Sequence, residues 1–231
     1  VFTFATPDPS LPLNLCTCGC MLAAGGADSD GKPFVRPYTP VSTNAKVGAF
    51  DLMVKIYPEG NLSQHLDKMK VGDELSFKHI PFNVKRQYPF EKKNIAMIAG
   101  GTGIAPMIQA LHALLGNPDD ETSVTLLYGS QRSDQILASE VLGEWAESHG
   151  DRLKVVNVLS AEPEGTGWTG QKGFINKELI TKHFPGPAED VEIFVCGPPP
   201  MYDALCGARG EEELSGVLKE IGYSKEQVTK F

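Results

Sequence analysis

The run Ala99-Gly100-Gly101-Thr102-Gly103-Ile104-Ala105-Pro106 decides the architecture. An apolar stretch, Ile95 to Ile98, precedes it, and Ile108, Leu111, Leu114 and Leu115 follow at helical spacing. The pattern reads as a strand, a glycine turn and a helix. Glycines let the backbone approach a phosphate and take up positive φ without a Cβ clash. The helix start adds unpaired N–H groups and the positive end of a dipole. Pro106 suits a first turn, where its missing N–H costs nothing. Such a turn predicts a pyrophosphate guest, although strand–turn–helix punctuation alone produces the same pattern without one.

The turn departs from the common dinucleotide fingerprint, which adds a third glycine and closes the next strand with a ribose-reading carboxylate. Here Pro106 holds the third-glycine position, and the next strand, 123–128, ends in Gly129-Ser130. The phosphate mechanics survive; the ribose reader does not.

Outward from this turn the chain divides in two. After Asn94, strands over 95–99, 123–128, 153–159 and 191–196 alternate with helices over 104–115, 133–148, 175–183 and 211–221. That alternation predicts a parallel sheet covered on both faces. Ser133 is a candidate cap for the second of these helices, whose apolar stripe is Ile136, Leu137, Val141, Leu142 and Trp145. Before residue 90 the signals are β-branched and aromatic runs bounded by Gly, Pro, Asn and Asp. They predict strands over 1–5, 15–23, 35–39, 49–57 and 74–79, with one helix over 62–69. Several short strands and one helix suggest a small antiparallel barrel. The expected division is a β-barrel domain over 1–90 and an α/β domain over 91–231. Val1 already reads as strand, so a preceding piece is expected: the barrel's first strand, a targeting segment or an anchor.

Composition narrows the partners. A net charge of −8 over 231 residues disfavours nucleic acid. Lys85, Arg86, Lys92 and Lys93 are a local exception, read as a solvated hinge or a docking patch. No stretch of 18 apolar residues occurs. Five cysteines lack the spacing of a disulfide framework. Cys16, Cys18 and Cys20 would share one face of a strand. Without a second ligand pair they are read as packed thiols, with no metal site.

Three further motifs carry chemistry. Arg36-Pro37-Tyr38-Thr39-Pro40-Val41-Ser42 offers a phosphate-pairing guanidinium, a ring to pack on a flavin, and a hydroxyl near its N5. An exposed edge strand would read the same way. Gly60-Asn61-Leu62-Ser63 opens a helix whose N–H groups and Ser63 could hold a second phosphate, or simply cap the helix. Cys196-Gly197-Pro198-Pro199-Pro200-Met201 ends a parallel strand, where ligands sit in open α/β sheets. There Cys196 would point at a ligand edge, unless it is a buried thiol before a rigid turn.

In this order, the four motifs resemble the ferredoxin–NADP reductase superfamily, and most closely the NADH–cytochrome b5 reductases. The resemblance spans nearly the whole chain. The run from Gly216 to Tyr223 and the ending Lys230-Phe231 look like the mitochondrial, fungal-type branch. The resemblance implies that Arg36, Pro37, Tyr38 and Thr39 hold the FAD pyrophosphate and flavin. It implies that Met53, Lys55 and Tyr57 line FAD and nicotinamide, and that Gly60, Asn61, Leu62 and Ser63 form a second FAD phosphate loop. Gly101, Thr102, Gly103 and Pro106 would bind the incoming dinucleotide, with Thr102 also touching the flavin. Cys196, Gly197, Pro198 and Met201 would face the nicotinamide. Thr39, Thr102 and Cys196 would then be the catalytic contacts. Hydride would pass from NADH to flavin, and electrons would leave singly to cytochrome b5 or a similar haem acceptor.

The resemblance further implies a mitochondrial setting, at the outer membrane or intermembrane space, with the endoplasmic reticulum membrane and the cytoplasm as alternatives. Any membrane contact would come through a segment before Val1. The runner-up is the reductase module of a larger electron-transfer chain of nitrate reductase or hydroxylase type. The rival from another class is a redox-silent binding domain, which would purify colourless rather than yellow. Three departures stand out. The family's Gly-Pro-x-Gly run is replaced over 79–84, Asn61 stands where Lys is common, and Ser160 stands where NADH-selective members carry Asp. NADPH therefore stays open as an alternative donor.

Overall fold

The computed structural model describes residues 1–80 and 84–231. The departure over 79–84 therefore falls in part on Pro81, Phe82 and Asn83, outside the described residues. The chain forms two compact units: Val1–Tyr88 with Ile108–Ala110, and Pro89–Met107 with Leu111–Phe231.

The first unit is antiparallel. Strands β1 (Phe2–Ala5) and β4 (Ala49–Leu52) pair with each other, and β3 (Phe34–Tyr38), β2 (Met21–Gly25) and β5 (Ser76–His79) form a second sheet in that order. The rings of Phe4, Phe50 and Phe77 meet with centroids 5.0–5.7 Å apart, so both sheets share one aromatic core. Helix α1 (Asn61–Lys68) covers the three-stranded sheet by packing Leu62 and Leu66 on Ala23, Phe34 and Tyr38.

Two expectations fail in this unit. The strand expected over 15–23 begins only at Met21, because Gly19 N–H donates to the Cys16 carbonyl (2.9 Å) and Cys18 takes φ of +60°. Cys16, Cys18 and Cys20 thus lie on a turn and do not share a strand face. The strand expected over 49–57 stops at Leu52, where Phe2↔Leu52 ends the ladder. Met53, Lys55 and Tyr57 lie on the irregular segment beyond it.

The second unit carries the parallel sheet, in the order β11 (Val228–Lys230), β10 (Val191–Cys196), β6 (Asn94–Gly100), β7 (Ser123–Ser130), β8 (Leu153–Leu159) and β9 (Gln171–Lys172). Strand β6 is buried from Ile95 to Gly100, as expected where both faces are covered. Residues of α4 (Lys177–His183), α5 (Pro199–Leu205) and α6 (Gly216–Ile221) share one core cluster with Ala96, Ile98, Ile193 and Val195.

The helix expected over 133–148 is interrupted. Residues Ser133–Gln135 form a 3-10 turn, Ala138 takes φ of 55°, and α3 runs only over Ser139–Ser148. Ser133 does not cap it. The helix expected over 211–221 shrinks to α6, because Gly216 adopts φ of +65°. Strands β9 and β11 and helix α5 were not foreseen. The prolines at the first positions of α5 fit a helix start as well as a rigid turn.

Candidate active site

The sheet order places two turns together. Strand β6 has β7 on one side and β10 on the other, so the order of strand addition reverses at β6: β7, β8 and β9 are laid down on one side, β10 and β11 on the other, all parallel. Ligands of open α/β sheets sit outside the carboxyl ends of strands at such a switch point. The β6 turn (Gly101–Gly103, a 3-10 turn) and the β10 turn (Cys196 onward) both lie there, with Ala99 opposite Cys196.

Two glycines show what the site requires. A Cβ on Gly103 would fall 2.1 Å from the Cys196 carbonyl oxygen, so the two turns touch backbone to backbone. Gly101 has φ of +53°, and a Cβ there would meet nothing within 4 Å. One glycine closes the two turns, and the other leaves open room for a phosphate group. Helix α2 (Ile104–Gly116) starts without a side-chain cap or an acidic residue in its first turn, which suits an anion. Pro106 is buried in that first turn. Thr102 is half-buried on the turn, and Met201 packs against Gly197. Pro198 is exposed at the N-cap of α5.

Two tyrosines brace this site, and neither was singled out from the sequence. Tyr128 is fully buried on β7, and its hydroxyl donates to the Gly101 carbonyl at 2.9 Å. Burial pushes its pKa up to about 12, so the hydroxyl keeps its proton. The buried Tyr202 hydroxyl reaches the Phe231 main-chain oxygen at 2.5 Å and the Val195 carbonyl at 3.3 Å. It also hydrogen-bonds Cys196, and burial and then Cys196 raise its pKa. The available signal was a tyrosine inside an apolar run, since a buried hydroxyl must find a partner. Tyr128→Phe should keep the ring packing and leave the Gly101 carbonyl unpaired. Losing one such bond costs about 0.5–1.5 kcal/mol, which should raise the Kd for the dinucleotide by about 2- to 13-fold. Fluorescence titration checks this; an unchanged Kd would remove Tyr128 from the site.

In the first unit, Arg36, Pro37 and Tyr38 lie on β3, an edge strand of its sheet, where a proline is tolerated. Phe34, Arg36 and Tyr38 share one face by strand alternation, and α1 packs on that face through Phe34 and Tyr38. Arg36 and the N-terminus of α1 are therefore on the same side of the sheet. Arg36 is exposed, and its Nη1 donates to the Val35 carbonyl at 2.8 Å. Tyr38 is half-buried, and burial raises its pKa. Thr39 follows β3 and is half-buried. The Lys55 ammonium lies 5.7 Å from the centre of the Tyr57 ring.

Ser63 departs from expectation. Its hydroxyl donates to the Gly60 carbonyl (2.9 Å) and accepts from the Tyr57 N–H (3.1 Å). It shapes the start of α1 rather than offering its proton to a phosphate. Asn61 is exposed and Leu62 buried at that start, which has neither a side-chain cap nor an acidic residue in its first turn. The main-chain N–H groups of this turn, with the guanidinium on the same sheet face, still fit a diphosphate.

Comparison with known proteins agrees with the geometry. Residues 1–80 match the Oxidoreductase FAD-binding domain family, and residues 97–207 match the Oxidoreductase NAD-binding domain family. The cytochrome b5 reductase domain of Ulva prolifera nitrate reductase superposes with a TM-score of 0.87 at 32% identity, covering 100% of this chain and 90% of that one. The class is thus a flavoprotein oxidoreductase of ferredoxin-reductase-like fold, with one FAD-binding and one NAD-binding domain. NADH-cytochrome b5 reductase 2 of Aspergillus clavatus is 45% identical over 212 residues, 88% of this chain and 64% of that protein. Its counterpart in Coccidioides immitis is 41% identical over 239 residues, 100% of this chain and 71% of that protein. The chain belongs to the NADH–cytochrome b5 reductase family and spans 64–71% of the length of these two relatives.

Proposed function

We propose that this chain takes a hydride from NADH and passes single electrons to a haem protein, with cytochrome b5 as the acceptor. The observation that carries this reading is the backbone contact of the Gly103 and Cys196 turns at the switch point, in a chain that also has an FAD-binding domain. FAD, when bound, supplies the exchange between two-electron and one-electron chemistry.

The chain's own residues bind and orient. Arg36 and the first N–H groups of α1 at Asn61 and Leu62 hold the FAD phosphates. Tyr38 and Thr39 would border the flavin, and Met53, Lys55 and Tyr57 would line the cofactor. Gly60 and Ser63 set the backbone of the α1 start. Gly101, Thr102, Gly103 and Pro106 hold the dinucleotide pyrophosphate at the head of α2. Cys196, Gly197, Pro198 and Met201 would border the nicotinamide, and Tyr202 hydrogen-bonds Cys196.

A mitochondrial setting is part of the proposal and rests on the resemblance of 216–223 and the Lys230-Phe231 ending to that branch. The likeness to a nitrate reductase domain supports a second reading, in which the same two units serve as one module of a longer electron-transfer chain. Turnover of the FAD-loaded protein with NADH separates the readings. The first expects reduction of ferricyanide and of purified cytochrome b5. Ferricyanide turnover without cytochrome b5 reduction favours the second, and no NADH oxidation with either acceptor defeats both.

Cys196→Ser should fold and keep FAD, because the thiol is half-buried and serine nearly fills its volume. It should slow reduction of the flavin by NADH by about tenfold, since a thiol held at the nicotinamide edge orients the reacting carbon. Stopped-flow bleaching of the flavin measures this. An unchanged rate would make Cys196 a packing residue.

A further inference from the structure

The carboxyl ends of β7 and β8 are the next positions along the sheet from the glycine turn, where the adenosine ribose of a dinucleotide comes to rest. The sequence places no acidic residue at either strand end: β7 closes with Ser130, and Ser160 follows β8. The two ends are nevertheless tied. Ser160 N–H donates to the Ser130 carbonyl (3.0 Å) and Ala161 N–H to the Gln131 carbonyl (2.8 Å). Just beyond, the Glu162 carboxylate accepts from both the N–H and the hydroxyl of Ser133, each at 2.7 Å.

The cation at this spot is already engaged. Arg132 forks onto Asp134, with Nε to Oδ1 at 3.0 Å and Nη2 to Oδ2 at 2.6 Å. Lys172, opposite Leu159 on β9, is the other cation at this end, and Glu164 follows Glu162 in the same loop. Two bonds from Ser133, the hydroxyl first, hold the Glu162 carboxyl below the usual carboxylate range, so it is ionised at neutral pH. A 2′-phosphate brings close to two negative charges and needs a free guanidinium or ammonium. It meets instead a fixed carboxylate and an arginine whose fork is filled, with the exposed Lys172 ammonium as the counterweight.

We propose that Glu162, clamped by Ser133, is the residue that sets a preference for NADH over NADPH, in place of the strand-end carboxylate that this chain lacks. The Arg132–Asp134 pair supports it by withholding the guanidinium. The inference rests on reading this unit as the NADH site.

The test uses the FAD-loaded full chain and equilibrium binding by calorimetry, with 2′,5′-ADP and 5′-AMP as probes of the adenosine half-site, backed by kcat/KM for NADPH and NADH. Glu162→Gln keeps an oxygen that accepts from Ser133 and removes the charge. It should tighten 2′,5′-ADP by roughly 3- to 10-fold, leave 5′-AMP unchanged, and shift the NADPH/NADH ratio by the same factor. Asp134→Asn, which loosens the hold on Arg132, should move 2′,5′-ADP in the same direction, and the double variant further. If neither variant changes the ratio of the two probes, the proposal falls. If Glu162→Gln weakens both probes equally, Glu162 only shapes the loop, and the proposal falls again. If the wild-type chain binds NAD⁺ no better than buffer, the NADH-site reading itself fails, and this inference with it.

Discussion

Gly103→Ala should lower kcat/KM for NADH by about a hundredfold while the purified protein stays yellow. The added Cβ would stand 2.1 Å from the Cys196 carbonyl oxygen, 2.5 Å from its carbon and 2.8 Å from the Gly197 nitrogen. Every one of these atoms is main chain, so no side-chain rotation relieves the overlap. Gly103 has φ of −62°, which alanine adopts freely, so the effect isolates the clash from backbone strain. To restore ordinary contact the two turns must part by more than about 1 Å, and a displacement of that size at a reacting centre costs on the order of 10²-fold. Overpacking should also cost about 1–3 kcal/mol of stability in this unit, visible as a lower Tm. Retained FAD absorbance reports that the first unit is intact. Gly143→Ala is the matched control. It lies in α3 with nothing within 4 Å of a Cβ, so it should gain up to about 1 kcal/mol and leave turnover alone. A Gly103→Ala protein that oxidises NADH within threefold of wild type would mean that the two turns do not form the dinucleotide site.

The same contact shows why part of this site was legible in the sequence and part was not. The glycine turn, its flanking strand and α2 follow from local rules, because apolar periodicity and glycine placement act within a dozen residues. The four-motif order then carried the two-unit division and the family. What the sequence did not disclose is which of several available partners each polar group takes. Ser133 looks like a helix cap until Glu162 takes both its N–H and its hydroxyl. Ser63 looks like a phosphate donor until Gly60 and Tyr57 claim it. The cysteines at 16, 18 and 20 look like one strand face until Cys18 turns to positive φ. In each case a polar or permissive residue satisfies one local pattern and the contact it makes decides otherwise; only Ser133 is claimed from far along the chain, 29 positions away. Tyr128 is the converse: an unremarked residue in a buried strand becomes functional because its hydroxyl finds Gly101, 27 positions away.

Arg36→Ala should lose FAD on dialysis, with binding weakened about 30-fold. The guanidinium is exposed on an edge strand, and its Nη1 donates to the adjacent Val35 carbonyl. That bond fixes one arm and leaves the other donors of the fork for a diphosphate oxygen. The N-terminus of α1 lies on the same face of the sheet, where its positive end would add to the hold of Arg36 on a diphosphate. A charge-assisted contact of this kind is worth on the order of 2 kcal/mol, discounted from its buried value because water reaches the pair. That energy corresponds to the stated factor of about 30 in Kd. Arg36→Lys sharpens the test: it keeps the charge and removes the fork, so it should fall between wild type and alanine. The ratio of absorbance at 450 nm to that at 280 nm after dialysis gives the FAD content, and added FAD should restore turnover to both variants. Full FAD content in dialysed Arg36→Ala would move the phosphate contact to another residue. Equal losses in the lysine and alanine variants would show that the planar fork, rather than the charge, does the holding.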